Sequence, residues 1–208
     1  MKRALALLAL ALFGGAGATQ AQTIAITNAR VHTMTGPALE RATVVIRDGR
    51  IAAVGANVTI PANARVIDAA GKVVTPGFLD SSTRLGVVEV GAVSGTADAR
   101  VNNDDITAAF NPADGLDPFS SPVAVTRTEG ITRAVVAPAP GASLVAGQGV
   151  LVDLGAMTPA GMVRKAPVGM FAALGEQGKR MAGGARAAAI LRLREIFQDV
   201  RDYAKEHR

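Results

Sequence analysis

The chain has 208 residues, a formal net charge of +5, no cysteine and few aromatic residues. The absence of cysteine excludes disulfides, thiolate metal ligands and cysteine nucleophiles. The basic residues are scattered, and the chain has one Tyr and no Trp. Such a chain offers neither a cationic patch nor a base-stacking platform, so we expect no nucleic-acid partner.

Residues 1–21 have the pattern of a secretory signal peptide. Two cations near the start precede an apolar segment over residues 4–13, and small residues follow. Two sites fit cleavage, and we favour the one after Ala21, which leaves Gln22 as the first mature residue. The alternative is an uncleaved anchor, but the apolar run is shorter than the roughly 20 residues that span a bilayer. We expect a periplasmic or secreted protein with no membrane contact after cleavage.

Residues 22–75 predict a small β domain, because short β-branched runs alternate with turns rich in Gly, Pro and Asp. The pair Asp48-Gly49 separates runs at 42–46 and 50–54. It predicts a tight hairpin, since both residue types tolerate the positive φ angles of such a turn. The other strands of this domain are predicted at 24–26, 30–34, 65–68 and 72–74.

From residue 76 onward, nearly continuous apolar runs predict strands that are buried on both faces, as in α/β folds. Residues 89–122, rich in Gly, Asp, Asn and Pro, predict a long connection, and loops of this length are often functional. An amphipathic helix is predicted over residues 187–205, with one apolar face packed on a sheet. The three strands are predicted at 78–80, 132–137 and 149–154, and the helix face comprises Ile190, Leu193, Phe197, Val200 and Ala204.

Two segments of the chain resemble a known family. Residues 48–55 resemble the motif DGRI-x-x-VG, and residues 66–80 resemble IDA-x-GK-VTPG-[LF]-[IL]-D. Both motifs are typical of the amidohydrolase superfamily, in its imidazolonepropionase-like branch of metal-dependent hydrolases. Weaker matches follow at 129–132, 147–149 and 170–180. The chain is therefore similar to the N-terminal portion of such a protein.

The resemblance implies an α/β fold with two parts. Residues 22–75 would form the N-terminal part of a small β-sandwich, and residues 76–208 an incomplete (β/α)8 TIM-type barrel ending in the amphipathic helix. A complete barrel takes about 250 residues, and only about 130 follow the first part. We therefore expect either a fragment or a truncated form, whose partner is a homologous subunit or a missing C-terminal half.

The chemistry of the resembled family uses a divalent metal, usually zinc, which activates water and polarises the scissile carbonyl. Two histidines of the motif D-x-H-x-H-x-G hold that metal at the end of the first barrel strand. Ser82 and Arg84 occupy those two positions here, and the only histidines in the sequence are His32 and His207. A hydroxyl is a poor ligand and a guanidinium repels a cation, so we expect no metal cofactor in this chain.

Ser82 and Arg84 are candidate substrate-binding residues instead. Arg84 would bind a carboxylate or another anion, aided by the Ser82 hydroxyl. The alternative is drift after loss of catalysis, with Arg84 paired to Asp80, Glu89 or a loop aspartate. Gln148 is a third candidate for ligand contact, and capping of the backbone is its alternative role. No catalytic residue can be assigned from the sequence.

The resemblance implies a hydrolase of non-peptide C–N bonds, in amides or cyclic amides. The signal peptide predicts that it is exported, and the missing metal ligands predict that this chain alone is inactive. One alternative is a non-catalytic pseudoenzyme subunit or a module that binds a small molecule. Another is a truncated fragment from a broken reading frame.

Overall fold

The computed structural model describes residues 22–207, and the predicted signal peptide lies outside this range. The described chain forms two compact units, which divide between Pro76 and Gly77. Within residues 22–207, no helix has the length and apolar character needed to cross a membrane.

The first unit is built on one five-stranded sheet. Strands β1, β2 and β3 are antiparallel neighbours, whereas β4 and β5 both pair with β1 in parallel. The strands are β1 (Ile24–Val31), β2 (Leu39–Arg47), β3 (Arg50–Gly55), β4 (Arg65–Asp68) and β5 (Val73–Val74). The small side chains of β1 and β2 pack into a core of Ala29, Val31, Ala42, Val44 and Ala69.

The hairpin predicted at Asp48-Gly49 is confirmed. It joins β2 to β3, and the two turn residues have φ angles of 51° and 70°. The prediction of separate strands at 24–26 and 30–34 is wrong, because β1 runs unbroken to Val31 and ends there. Asn28 adopts a φ angle of 54° where the β1–β2 register shifts. The residues between the two predicted strands therefore form a β-bulge within one strand rather than a turn.

The second unit is built on a four-stranded sheet in the order β6-β7-β8-β9. Only β6 and β7 are parallel, and helix α1 lies between them in the chain, as in a β-α-β unit. Strands β8 and β9 continue the sheet in antiparallel fashion. The strands are β6 (Phe78–Thr83), β7 (Ile131–Val136), β8 (Val145–Asp153) and β9 (Val163–Ala172).

Four helices accompany this sheet, and the long connection over residues 89–122 contains three short 3-10 turns before the first of them. The core lies where α1 and α2 meet the middle of the sheet, around the fully buried Val136, Val150, Val152, Leu154 and Met162. The helices are α1 (Ser121–Thr128), α2 (Pro159–Met162), α3 (Gly175–Met181) and α4 (Arg186–Glu206).

Two predictions of burial in the second unit are wrong. Strand β6 is an edge strand of the described sheet, and Phe78 and Leu79 are 60% and 53% exposed. Helix α4 forms as predicted, but it packs chiefly against α3 rather than on a sheet. Its predicted face therefore stays largely open, with Phe197 56% exposed. In both cases the apolar pattern is present, and no described layer covers it.

Candidate functional site

The strand ends of the second sheet meet at one edge. Strands β6 and β7 are parallel, so their carboxyl ends lie side by side. Strand β8 is antiparallel to β7 and begins at this edge, and β9 returns to it at Ala172. The edge at the carboxyl ends of parallel strands is where α/β proteins generally bind ligands, because the loops that follow the strands converge there.

The end of β6 is shaped by its own side chains. Asp80 and Thr83 pair with Ala134 and Val136, so β6 uses one more residue than β7 over this step. The Asp80 Oδ1 atom accepts a hydrogen bond of 3.0 Å from the Ser82 N–H, which fixes the bulged backbone. The extra residue interrupts the alternation of side chains between the two faces of the sheet. Consecutive side chains at the end of β6 can therefore line the same space.

That space is a cleft of about 340 Å³, which we call the strand-end cleft. Its polar side chains are Ser82, Thr83 and Arg84 from the end of β6, and Gln177 from α3. The remaining wall is apolar and comes from the loop after β7 and the facing ends of β8 and β9. It comprises Ala137, Pro138, Pro140, Ala146, Phe171, Ala172 and Ala173.

Helix α3 is held tightly against the end of β9, which fixes the position of Gln177. The Ala173 N–H donates to the Leu144 carbonyl at 2.8 Å. Gly178 leaves no space for a side chain, because a Cβ atom there would lie 2.5 Å from the Ala173 carbonyl oxygen. The glycine lets the helix approach closely, so the neighbouring Gln177 lies at the cleft.

Of the described residues that line the strand-end cleft, Arg84 alone has a charged side chain. Its guanidinium has no ion pair and no side-chain hydrogen bond with the described side chains. The two carboxylates expected as partners are engaged elsewhere. Asp80 accepts from Ser82, and Glu89 Oε1 accepts from the Ser121 N–H at 3.0 Å. The nearby hydroxyls of Ser120 and Ser121 and the Ser121 N–H hold the pKa of Glu89 below its usual value.

The donor set of the strand-end cleft does not fit a divalent metal. Its polar atoms are two hydroxyls, one amide and one guanidinium, with no carboxylate or imidazole. No group of three His, Cys, Asp or Glu residues that could hold a metal occurs in residues 22–207. His32 follows β1 in the first unit, and the His207 ring stacks on Tyr203 at a centroid distance of 4.0 Å.

The structure brings Ser82 and Arg84 together at one cleft but does not bring Gln148 there. The Gln148 side chain donates from Nε2 to the Ala108 carbonyl at 3.4 Å, and its backbone N–H donates to the Phe110 carbonyl at 2.8 Å. Sequence reasoning did not identify Thr83 or Gln177. Gln177 lies within the segment 170–180 that carries the weak family resemblance, so that segment was the available signal.

Comparisons with known proteins agree with this architecture. No family model matches the chain. An amidohydrolase from Thermotoga maritima MSB8 is similar in structure, with a TM-score of 0.75 and 27% sequence identity. The match covers 88% of this chain and 49% of that chain.

Two curated relatives are similar in sequence. The amidohydrolase tasK of Hapsidospora irregularis is 25% identical over 149 residues, covering 66% of this chain and 15% of the relative. A dihydroorotase of Mycobacterium tuberculosis is 50% identical over 46 residues, covering 22% of this chain and 11% of the relative. The chain thus spans about half of the structural relative and a smaller share of the curated ones.

The two sheets and the strand-end cleft define an α/β protein with a partial barrel. The chain is similar to members of the amidohydrolase superfamily, and the comparisons support its correspondence to an N-terminal portion of that superfamily's fold. The predicted α/β class is confirmed, with a sandwich-like N-terminal part and an incomplete barrel.

Proposed function

We propose that the whole protein is an exported hydrolase of amide or cyclic amide C–N bonds, and that this chain supplies a cleft that binds an anionic group of its ligand. The names of the relatives, amidohydrolase and dihydroorotase, support the reaction class. The observation that carries the binding role is Arg84, which lines the strand-end cleft without a counter-ion among the described residues.

The chemistry of the strand-end cleft suits a carboxylate. A guanidinium presents a planar fork of N–H donors that matches the two oxygens of a carboxylate, and charge-assisted hydrogen bonds are about twice as strong as neutral ones. Hydroxyls of Ser82 and Thr83 and the Gln177 amide add neutral donors beside it. The apolar wall from the ends of β8 and β9 limits water around the bound group, which strengthens these interactions.

A metal-based step is not assigned to this chain, because the residues at the strand-end cleft do not fit the ion that the family uses. We propose that metal-binding groups, where the protein is catalytic, come from a homologous subunit or a C-terminal half. The second candidate is a non-catalytic ligand-binding subunit. It is supported by the same observation, since a hydroxyl and a guanidinium at the cleft suit an anion better than a metal ion.

Export is proposed from residues 1–21, whose pattern is that of a cleaved signal peptide. The mature protein would then act in the periplasm or outside the cell. Sequencing the N-terminus of the protein recovered from those fractions checks the proposal, because the mature chain should begin at Gln22.

The binding role is tested by calorimetric titration of the purified chain with propionate. Replacement of Arg84 by Gln should weaken binding about tenfold, because it removes a charge-assisted hydrogen-bonding group. Arg47→Gln is the matched control, since Arg47 ends β2 in the first unit and is exposed. Equal affinities for the wild type and Arg84→Gln would contradict the proposed role.

A further inference from the structure

A second cleft adjoins the first and contains a second cation. This space of about 570 Å³, which we call the loop cleft, shares Arg84, Pro140 and Gln177 with the strand-end cleft. It adds Arg100 and Asn102 from the long connection, together with Ser94. Among the side chains that the structure describes, no acidic residue lines either cleft, and Arg84 and Arg100 supply two positive charges.

Backbone hydrogen bonds hold the segment around Arg100 against both parallel strand ends. The Asp98 N–H donates to the Val87 carbonyl at 2.8 Å, which ties the segment to the chain after β6. The Ala99 carbonyl accepts from the Ala139 N–H at 2.7 Å, which ties it to the loop after β7. Ala99 is itself 3% exposed. Arg100 therefore projects from an anchored backbone, although its loop is long.

The Arg100 guanidinium has no ion pair or side-chain hydrogen bond with any side chain that the structure describes. Asp98 and Asp114 border a different cleft that Arg100 also lines, and neither forms an ion pair with it. Arg100 is thus available to an anion in the loop cleft, as Arg84 is in both clefts.

We propose that the ligand carries two oxyanionic groups, one held by Arg84 and the other by Arg100, and that it is a small dicarboxylate lying across the two clefts. The inference rests on the proposed binding role of the strand-end cleft and specifies its ligand class. Two separate cations favour two separate acidic groups, since each guanidinium fork can then engage its own carboxylate. Asn102 and Gln177 also line the loop cleft and offer amide donors.

The test compares dicarboxylates with a monocarboxylate on the full chain. Calorimetry with propionate, succinate, glutarate and adipate gives the affinity ratio of the best dicarboxylate to propionate. This ratio should be about tenfold in the wild type, because the second acid adds one charge-assisted contact. It should fall close to one in Arg100→Gln, whereas Arg84→Gln should weaken both kinds of ligand. Arg100→Lys, which keeps the charge and loses the fork, should give an intermediate ratio.

A wild-type ratio near one, or a ratio unchanged in Arg100→Gln and Arg100→Lys, overturns the dicarboxylate inference. In that case the proposed binding role still stands if Arg84→Gln weakens propionate binding. If Arg84→Gln leaves propionate binding unchanged, the binding role and the dicarboxylate inference both fail. Inorganic phosphate that binds more tightly than every dicarboxylate, and loses affinity in both glutamine variants, would show the two arginines converging on one group. That result also overturns the inference.

Discussion

The missing ion pair of Arg84 is related to the hydrogen bonds that its acidic neighbours make with the backbone. An exposed guanidinium is well solvated, so a missing ion pair on its own says little about function. The lack of a partner matters here because Asp80 and Glu89 have fixed backbone partners. Asp80 accepts from Ser82, and Glu89 accepts from Ser121 at the start of α1. These bonds orient both carboxylates, and neither forms an ion pair with Arg84.

Asp80 is a positioning residue for the strand-end cleft, and a matched pair of variants separates its geometry from its charge. Asp80→Ala removes the acceptor for the Ser82 N–H, so propionate binding should weaken about threefold to tenfold as the strand end loses its shape. Asp80→Asn keeps an oxygen acceptor and removes a negative charge, so binding should be retained or become tighter. If charge alone mattered, both variants would bind propionate more tightly, and calorimetry distinguishes the two cases.

Among the elements of the second unit, the end of β8 and helix α4 differ in what they contribute to stability. Leu154 follows β8 and is fully buried in the core, whereas Leu191 on α4 is 57% exposed. Leu154→Ala should lower the free energy of unfolding by about 2–5 kcal/mol, because it leaves a cavity. Leu191→Ala is the matched control and should change it by less than about 0.5 kcal/mol. Chemical denaturation measures both values, and a costly Leu191→Ala would mean that another layer covers α4.

The elements that could be predicted from the sequence are those with a local cause. The hairpin at Asp48-Gly49 follows from the φ preference of its turn, and α4 from its periodicity. Strand β9 was missed because Pro167 and Gly169 interrupt its apolar pattern. Such residues are tolerated there because β9 is an edge strand, where one side of the ladder is free.

The candidate site could be predicted only where its residues are neighbours in the chain. Ser82 and Arg84 stand out because they sit two residues apart at the end of a recognisable strand motif. Gln177 and Arg100 reach the same region through the close approach of α3 and the anchoring of Ala99, which are tertiary contacts. Gln148 was selected by a motif-like loop, but its side chain is directed to the Ala108 carbonyl.

At the scale of the whole molecule, the strand-end cleft depends on the complete second sheet. It draws on the end of β6, the loop after β7, the ends of β8 and β9, and helix α3. An N-terminal portion covering 49% of its structural relative therefore already builds a ligand-sized space. The superfamily resemblance concerns the scaffold, whereas the proposed anion-binding role rests on the residues at the strand ends.

The most direct test of that distinction is an NMR titration that observes the Arg84 side chain. Its Nε–Hε resonance can be assigned by its loss in Arg84→Gln, and the full chain is then titrated with acetate and, separately, with Zn²⁺. We predict a saturable shift of the Arg84 resonance with acetate, and no zinc-dependent change at the Ser82 or Arg84 backbone N–H. A silent Arg84 resonance with acetate, together with stoichiometric zinc-dependent shifts at Ser82 and Arg84, would contradict an anion-binding cleft.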